Sequence, residues 1–510
     1  MNLDSRICSQ ARLSRDARFD GRFFIGVRST RIYCRPICPV RTVKEQNVRY
    51  FPTAAAASEE GYRPCLRCRP ESSPGTPAWS GTSTTVSRAL RLISESELEQ
   101  QAVEKLAARL GIGSRQLRRL FVRHLGASPI AVMKTRRLHF AKRLIDETDL
   151  PMAQIASASG FGSVRRFNKA FRQTFDRTPT QVRRLANTVL PQGKDEYVFH
   201  LNFRPPFHWK ALLNFLARRA IPGVEDVGPS YYSRSISLKG HSGTVSVSLA
   251  KSDLALETRI SFPDPRWLFV IIERLRRTFD LSSNPFEIAA HLSADPLLAG
   301  RVETTPGVRV PGCWDGFELA VRAILGQQVS VAGANTLAGR LVRMFGKAID
   351  ARTSLTHVFP TPEALVQADV ARVGLPEKRA EAIRALAQAV IEGRICFDSI
   401  MDFEDFQSRL CGLPGVGKWT AQYIAMRALG DPDAFPASDL GLLRSASFRT
   451  EAELAQRAEA WRPWRAYAAM YLWLGNGKLK KLEQRTDNRE VTVGRGTNEY
   501  LERQNGRGPA

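Results

Sequence analysis

Polar and apolar positions between residues 106 and 179 repeat. Residues 106–129 read LAARLGIGSRQLRRLFVRHLGASP and residues 155–179 read IASASGFGSVRRFNKAFRQTFDRTP. Each copy has a short apolar run, a Gly-x-Gly-Ser turn and a basic run whose apolar residues recur at helical spacing (Leu117, Leu120 and Phe121; Phe167 and Phe171). Ser114 and Ser163 stand where helix N-caps are expected. Two copies are too few for a solenoid. They predict two small helical units joined by one long helix around 132–147. Residues 244–249 alternate as a half-buried strand does, residues 210–219 form an amphipathic helix, and 313–480 is mostly helical with Gly and Pro punctuation. Residues 72–85, rich in Ser, Thr, Gly and Pro, and residues 186–196 read as linkers; the polar stretch 483–510 reads as a disordered tail.

The chain has 510 residues, too many for one core. Lys and Arg total 75 against 50 Asp and Glu, a formal net charge of +25. The first 190 residues hold 34 of the basic and 15 of the acidic side chains, so the excess is concentrated there. That balance points to a polyanionic partner, nucleic acid before an anionic membrane surface. A hydrophobic fraction of 43%, with 26 Phe and 8 Trp, is ample for folded cores. The longest apolar run, around 267–272, is too short to span a bilayer, and the N-terminal stretch has no apolar signal core. A cytoplasmic, nucleoid-associated bacterial protein with no membrane partner is the expectation.

Four of the eight cysteines cluster as Cys34, Cys38, Cys65 and Cys68, spaced C-x3-C-x26-C-x2-C. Four thiolates at this spacing suit one tetrahedral Zn²⁺; a disulfide pair is the minor alternative. The surrounding residues, from Val27 through Arg35-Pro36-Ile37-Cys38 and then Gly61-Tyr62-Arg63-Pro64-Cys65-Leu66-Arg67-Cys68, resemble the zinc domain of the Ada family. The resemblance implies that Cys34 accepts a methyl group from a methylphosphotriester in DNA, with Cys38, Cys65 and Cys68 as the other ligands. A zinc-held sulfur stays deprotonated at neutral pH and remains nucleophilic. Methylating one sulfur takes the site from net −2 to −1, weakens its repulsion of phosphate and should raise DNA affinity. A purely structural zinc is the competing reading.

After the two turns come Arg115, Gln116, Arg118 and Arg119, and Arg165, Arg166, Asn168, Lys169 and Arg172. A helix of this kind enters the major groove N-terminus first, where Arg and Gln suit G and A. With the Gly-Phe-Gly-Ser turn at 160–163, Phe171 and Thr178-Pro179, residues 84–185 resemble the AraC-type domain, which carries two such motifs. Arg115, Gln116, Arg119, Arg165, Arg166 and Lys169 are the candidate contacts; any single Arg serves a phosphate as readily as a base.

Residues 411–425 read CGLPGVGKWTAQYIA, a tight hairpin whose glycines let backbone N–H groups approach a phosphate. Phe435-Pro436-Ala437-Ser438-Asp439 follows. With Pro205-Pro206-Phe207-His208-Trp209, the run from Arg322 to Ser330 and Trp461-Arg462-Pro463-Trp464-Arg465, the segment resembles AlkA-type 3-methyladenine DNA glycosylases of the helix-hairpin-helix superfamily. The resemblance implies that Asp439 is the catalytic carboxylate, opposing the positive charge that develops at the sugar. It places Trp419, Tyr423 and Trp473 along the base pocket, where a cationic methylated purine gains about 0.5–2 kcal/mol from an aromatic face. Gly415, Gly417, Lys418 and Thr420 would hold DNA at the hairpin, and Gln328 stands where the family has an apolar wedge. Relatives that also cut the backbone carry Lys directly before Thr-Ala; here that position is Trp419, so a monofunctional glycosylase is implied. No cysteine follows Cys411, which excludes the iron–sulfur cluster of some relatives.

The expected architecture is multidomain α+β. A small four-cysteine zinc domain (1–71) precedes an all-α double helix-turn-helix domain (84–186). A β-rich AlkA-like N-terminal domain (195–305), an all-α helix-hairpin-helix domain (306–482) and the tail follow. The expected function is excision of alkylated purines from double-stranded DNA by a monomeric regulator that accepts methyl groups and recruits RNA polymerase. Two alternatives stay open at this point: a regulator whose glycosylase domain is inert, and a repair enzyme tethered to DNA by its helix-turn-helix unit.

Overall fold

The basic N-terminal part opens with helix α1 (Ser5–Leu13) and a four-stranded sheet, β1 (Phe24–Val27), β2 (Ile32–Cys34), β3 (Val48–Phe51) and β4 (Arg63–Pro64), in the order β3-β1-β2-β4. This computed structural model describes residues 4–75, 84–95, 103–185, 193, 195–251, 254–350, 353–397 and 403–474; the expected tail lies outside them. Strand β2 is antiparallel to β1 and parallel to β4. That parallel pairing brings two distant cysteine pairs together, because Cys34 ends β2 and Cys65 follows β4, its N–H bonding to Tyr33 O at 3.0 Å. A short helix, α2 (Ala54–Glu59), packs its alanines over the sheet.

Helices α3 (Thr84–Glu95), α4 (Val103–Arg109), α5 (Ser114–Leu125), α6 (Pro129–Glu147), α7 (Met152–Ala158), α8 (Val164–Phe175) and α9 (Pro179–Leu185) follow. The two predicted units are α4–α5 and α7–α8, and the long joining helix is α6. In α5 the buried residues are Leu117, Phe121 and Leu125, and in α8 Phe167, Phe171 and Phe175. The spacing of four keeps each triplet on one face and leaves the arginines on the other. Ser163 caps α8 by accepting from Arg166 N at 3.3 Å. Ser114 does not cap α5: the N-cap is Gly113, without a side-chain bond, and Ser114 is the first helical residue.

The second sheet has order β5-β9-β8-β7-β6, from β5 (Glu196–Asn202), β6 (Glu225–Val227), β7 (Tyr231–Leu238), β8 (His241–Leu249) and β9 (Ala255–Ser261), all antiparallel. The predicted alternation at 244–249 is real: Val245 and Val247 are buried on one face. Helix α10 (Trp209–Ala217) lies within this domain, and α11 (Leu268–Thr278), α12 (Pro285–Leu292) and α13 (Pro296–Thr304) follow it. The remainder is helical: α14 (Gly316–Leu325), α15 (Val331–Phe345), α16 (Pro362–Leu365), α17 (Glu377–Ile391), α18 (Phe403–Cys411), α19 (Lys418–Ile424), α20 (Leu440–Ala446), α21 (Glu451–Ala458) and α22 (Arg465–Leu474).

The cores cross the expected boundaries. The zinc-domain sheet shares one apolar core with α3, α4 and α5. The second unit, α7 and α8, shares another with the five-stranded sheet and with α20–α22. A third core holds α14, α17 and the hairpin helices. Buried polar groups stitch the regions together. Arg204 is fully buried and donates to the carbonyls of Asp20, Pro74, Gly75, Ser282 and Ser283. Burial pushes its guanidinium down to about 9. Part of the expected first linker is therefore anchored: Pro70–Ser72 is a turn of 3-10 helix, Pro74 and Gly75 hold Arg204, and α3 begins at Thr84. The second expected linker overruns by one residue, since β5 starts at Glu196. Strand β5 is a sheet edge, and α6 covers it: Arg143 donates to His200 O at 3.2 Å and Glu147 accepts from His200 N at 3.3 Å.

Candidate functional site

The sulfurs of Cys34, Cys38, Cys65 and Cys68 all lie within 4.8 Å of one another. Four sulfurs about 2.3 Å from a central zinc stand roughly 3.8 Å apart, so the donor set fits tetrahedral Zn²⁺ and not two separate thiol pairs. None of the four is in a disulfide. Arg35, next in sequence to Cys34, gives the site a buried cation. Its N–H reaches Cys68 Sγ at 3.4 Å, its guanidinium donates to Cys68 O at 3.1 Å, and Asp20 pairs with it in a buried bidentate bridge. Burial works against the Arg35 charge and Asp20 outweighs it. A cation here offsets the negative charge of clustered thiolates. The zinc site also abuts the DNA-reading domain: Tyr33 OH lies 2.8 Å from His139 Nε2 of α6, and Thr53 Oγ1 donates to Leu125 O, at the end of α5, at 2.8 Å.

Arg115, Gln116, Arg118 and Arg119 are exposed on α5, as are Arg165, Arg166, Asn168, Lys169 and Arg172 on α8, while Leu117, Phe121 and Leu125 of α5 and Phe167, Phe171 and Phe175 of α8 are buried and Leu120 is half-buried. Arg115, Gln116, Arg118 and Arg119 sit in the first turns of α5, and Arg165, Arg166, Asn168 and Lys169 in those of α8, where a groove-entering helix presents its side chains; Arg172 stands in the last turn of α8.

In the helical domain, α18, a turn with Gly415 at φ +71° and α19 make the hairpin. Gly417 is the N-cap of α19 and has no capping side chain, so the first N–H groups of that helix stay open to a phosphate. Gly415, Gly417 and Lys418 are exposed. Thr420 is not a surface contact: it is buried, and its Oγ1 accepts from Gln327 Nε2 at 3.0 Å. Gln327, unremarked in the sequence, also donates to Gly415 O at 2.8 Å and so braces the turn. Its neighbour Gln328, the expected wedge, is exposed with φ +54° at the tip of the α14–α15 loop, and Val329 beside it is exposed too.

Asp439 is the N-cap of α20, with Oδ1 accepting from Leu442 N at 3.0 Å. Trp419, Tyr423 and Trp473 gather beside it. Trp419 Nε1 donates to Asp439 Oδ2 and Trp473 Nε1 to Oδ1, each at 3.0 Å. The Trp419 and Tyr423 rings stack with centroids 5.4 Å apart and planes 6° apart, and Trp473 meets Tyr423 edge-on at 6.3 Å. The sequence did not reveal what lies behind this wall. Arg427 donates to Tyr423 OH at 2.8 Å and to the carbonyls of Pro311 and Gly312, while Arg219 sits 3.8 Å from the Phe215 ring centroid. Burial works to raise the Tyr423 phenol, but Arg427, Arg219 and Arg322 outweigh it and hold it below its ordinary value. The wall is thus backed by guanidinium groups and faced by a carboxylate. Arg219 lies some two hundred residues upstream of the wall, and the fold is what places it there.

A metal-binding centre, two groove-reading helices and a hairpin with a carboxylate at an aromatic wall define a DNA-binding repair protein with a regulatory half. Family models agree in order: metal binding domain of Ada over residues 7–71, helix-turn-helix domain over 106–185, AlkA N-terminal domain over 198–315, and HhH-GPD superfamily base excision DNA repair protein over 321–457. A Mycobacterium tuberculosis protein described as a probable bifunctional transcriptional activator/DNA repair enzyme AlkA is 42% identical over 93% of this chain and 97% of its own. DNA-3-methyladenine glycosylase 2 of Escherichia coli is 37% identical over 55% of this chain and 98% of its own. The bifunctional transcriptional activator/DNA repair enzyme Ada of the same organism is 30% identical over 34% of this chain and 48% of its own. The chain belongs to the family of AlkA-type bifunctional transcriptional activator/DNA repair enzymes.

Proposed function

We propose that residues 306–482 release alkylated purines, 3-methyladenine among them, from double-stranded DNA, with Asp439 as the catalytic carboxylate. The observation that carries this is Asp439 at the start of α20, facing the aromatic wall beside an open hairpin. The flipped lesion lies against Trp419, Tyr423 and Trp473. The bond from C1′ to the base breaks, and its electron pair neutralises the departing cationic purine. Asp439 opposes the positive charge left at C1′ until water adds there and gives up its proton. Alkylation has already activated the leaving group, so no strong acid is needed. Trp419 occupies the position at which lyase relatives carry Lys, and Lys418 is exposed beside it, which supports hydrolysis without strand cleavage.

Cys34 takes the methyl group of a methylphosphotriester: its sulfur attacks the methyl carbon, the C–O bond breaks, and the phosphate oxygen leaves as an anion. Bound Zn²⁺ supplies the charge that keeps the cysteines deprotonated. Arg115, Gln116, Arg119, Arg165, Arg166 and Lys169 then hold the promoter, and RNA polymerase is the partner recruited there by a monomeric chain acting in the cytoplasm at the nucleoid. Among the described residues no helix is long and apolar enough to cross a membrane.

The deciding experiment is release of 3-methyladenine from methylated duplex DNA by the wild type and by Asp439→Asn. Release with a loss of roughly 10²–10³-fold in the variant is expected, the size of removing one preorganised electrostatic group. No release by folded, zinc-loaded wild type would leave the protein a regulator with an inert second half.

A further inference from the structure

Three donors reach the carboxylate of Asp439. Leu442 N–H and Trp473 Nε1–H converge on Oδ1, and Trp419 Nε1–H reaches Oδ2, all at 3.0 Å. An indole has a single polar atom, and that atom only donates. Both indoles direct it to the same side chain, Trp419 from the hairpin helix α19 and Trp473 from the last described helix, α22. The N-cap bond alone fixes one oxygen and leaves the carboxylate plane free to turn. The bond from Trp419 fixes the other oxygen and with it the plane. Trp419 is itself held, flat against Tyr423, whose hydroxyl Arg427 holds in turn.

A neighbouring glycine keeps the arrangement open. A Cβ on Gly441 would stand 2.9 Å from Asp439 Oδ1 and 3.5 and 3.6 Å from Trp473 Cδ1 and Nε1. A side chain there would press between the carboxylate and its indole.

We infer that Trp419 and Trp473 are positioning residues that orient Asp439 through their N–H groups, in addition to walling the base pocket. This rests on the reading of Asp439 as the catalytic carboxylate. Among the described residues Oδ1 accepts from Leu442 N–H and Trp473 Nε1–H and Oδ2 from Trp419 Nε1–H, so the two oxygens are held unequally and Oδ2 is the more open to the sugar. Because the same rings face the base, a lesion that displaces an indole also turns the carboxylate, and fit at the base is transmitted to the anomeric carbon. Aromatic stacking by itself makes no such link.

The test removes the base altogether, so that stacking is not measured. Full-length zinc-loaded protein is titrated with two duplexes. One carries a cationic pyrrolidine in place of the damaged nucleoside's sugar, and the other carries a neutral tetrahydrofuran. Wild type should prefer the cation, and Asp439→Asn should abolish the preference. Trp419→Phe and Trp473→Phe keep an aromatic ring but lose the N–H together with the rest of the fused five-membered ring. Each should cut the ratio of cation to neutral affinity roughly tenfold, the order expected from a misplaced group; the ratio cancels any loss of packing that weakens both duplexes alike. In the Asp439→Asn background neither should change anything further. Gly441→Ala should act in the same direction as Trp473→Phe. A preference intact in both Phe variants, or Phe effects of equal size with and without Asp439, would overturn the inference and leave the indoles as wall only. Failure of the underlying reading looks different: wild type shows no preference for the cation, or Asp439→Asn keeps it.

Discussion

The four cysteine sulfurs come from two short segments, Cys34 to Cys38 and Cys65 to Cys68, brought side by side by one parallel strand pair. The carboxylate of Asp439 takes its side-chain donors from residues 20 and 34 positions away, on helices that belong to different cores. Both centres concentrate negative charge in a basic chain, and both have arginines nearby: buried Arg35 at the sulfurs, and buried Arg427 with half-buried Arg219 behind the aromatic wall. They differ in what holds them. The first is built of ligands that a metal can draw together. The second exists only where three helices are already packed. A local site is disabled by removing one of its own atoms; a convergent site also fails when a distant brace is lost.

The largest expected effect tests the local centre. Cys65→Ser should lose zinc, because structural zinc is worth on the order of 10 kcal/mol to such a domain. Metal analysis should show the loss and limited proteolysis should nick residues 4–75. Release of 3-methyladenine should persist, since none of the side chains bonded to Asp439 lies in that domain. Next comes a distant brace. Arg427→Met strips the donors from Pro311 O, in the buried interior, and from the half-buried Gly312 O and Tyr423 OH. A cost of about 4 kcal/mol is expected for acceptors left without partners, read as a lower urea midpoint, with weaker base release and unchanged zinc content.

The two halves should also respond to pH with opposite sign. Burial pushes His139, against Tyr33, down to about 4 from 6.5. The unfolded chain then binds more protons than the folded one between those values. Stability is complete above pH 6.5 and falls as the pH drops through about 4, by about 3 kcal/mol in all. Burial pushes Asp280, in the other half, up to about 6 from 3.8. Its contribution is fullest below pH 3.8 and is lost as the pH rises through about 6. Urea midpoints for wild type and His139→Gln at pH 7 and pH 5, with zinc saturating, should show the variant losing less, or gaining more, on acidification than wild type, because only Asp280's opposite contribution is then left. The smallest effect separates the two helix-turn-helix copies. Ser163→Ala should cost about 1 kcal/mol through its lost cap, whereas Ser114→Ala should cost almost nothing. Thermal melts of the two variants check this.

Much of the architecture was legible because its signals are short-range. The Gly-Ser turns, the spacing of four between Phe167, Phe171 and Phe175, and the cysteine spacing each act within a few residues or one motif. Ser114 shows how finely this can fail. Gly113 takes the extended cap conformation one residue early, and propensity alone does not separate neighbouring cap candidates. Thr420 and Gln327 show a different failure. On an amphipathic hairpin helix, which polar residue faces DNA and which faces a neighbouring loop depends on where α14 ends, nearly a hundred residues away.

By itself the sequence determined the order of the modules, the zinc ligands, the two basic reading helices, and the residues gathered at the wall. These follow from periodicity, capping chemistry and resemblance, which need no knowledge of what packs on what. Only the tertiary structure decided that both indoles bond to Asp439 and that guanidinium groups back the aromatic wall. It alone showed the apolar cores running across the module boundaries, with Arg204 tying the zinc domain to the sheet beyond the helix-turn-helix unit. The reason is physical. A buried donor must find its acceptor wherever the packed chain supplies one, and the partner's place in the sequence is set by the fold as a whole.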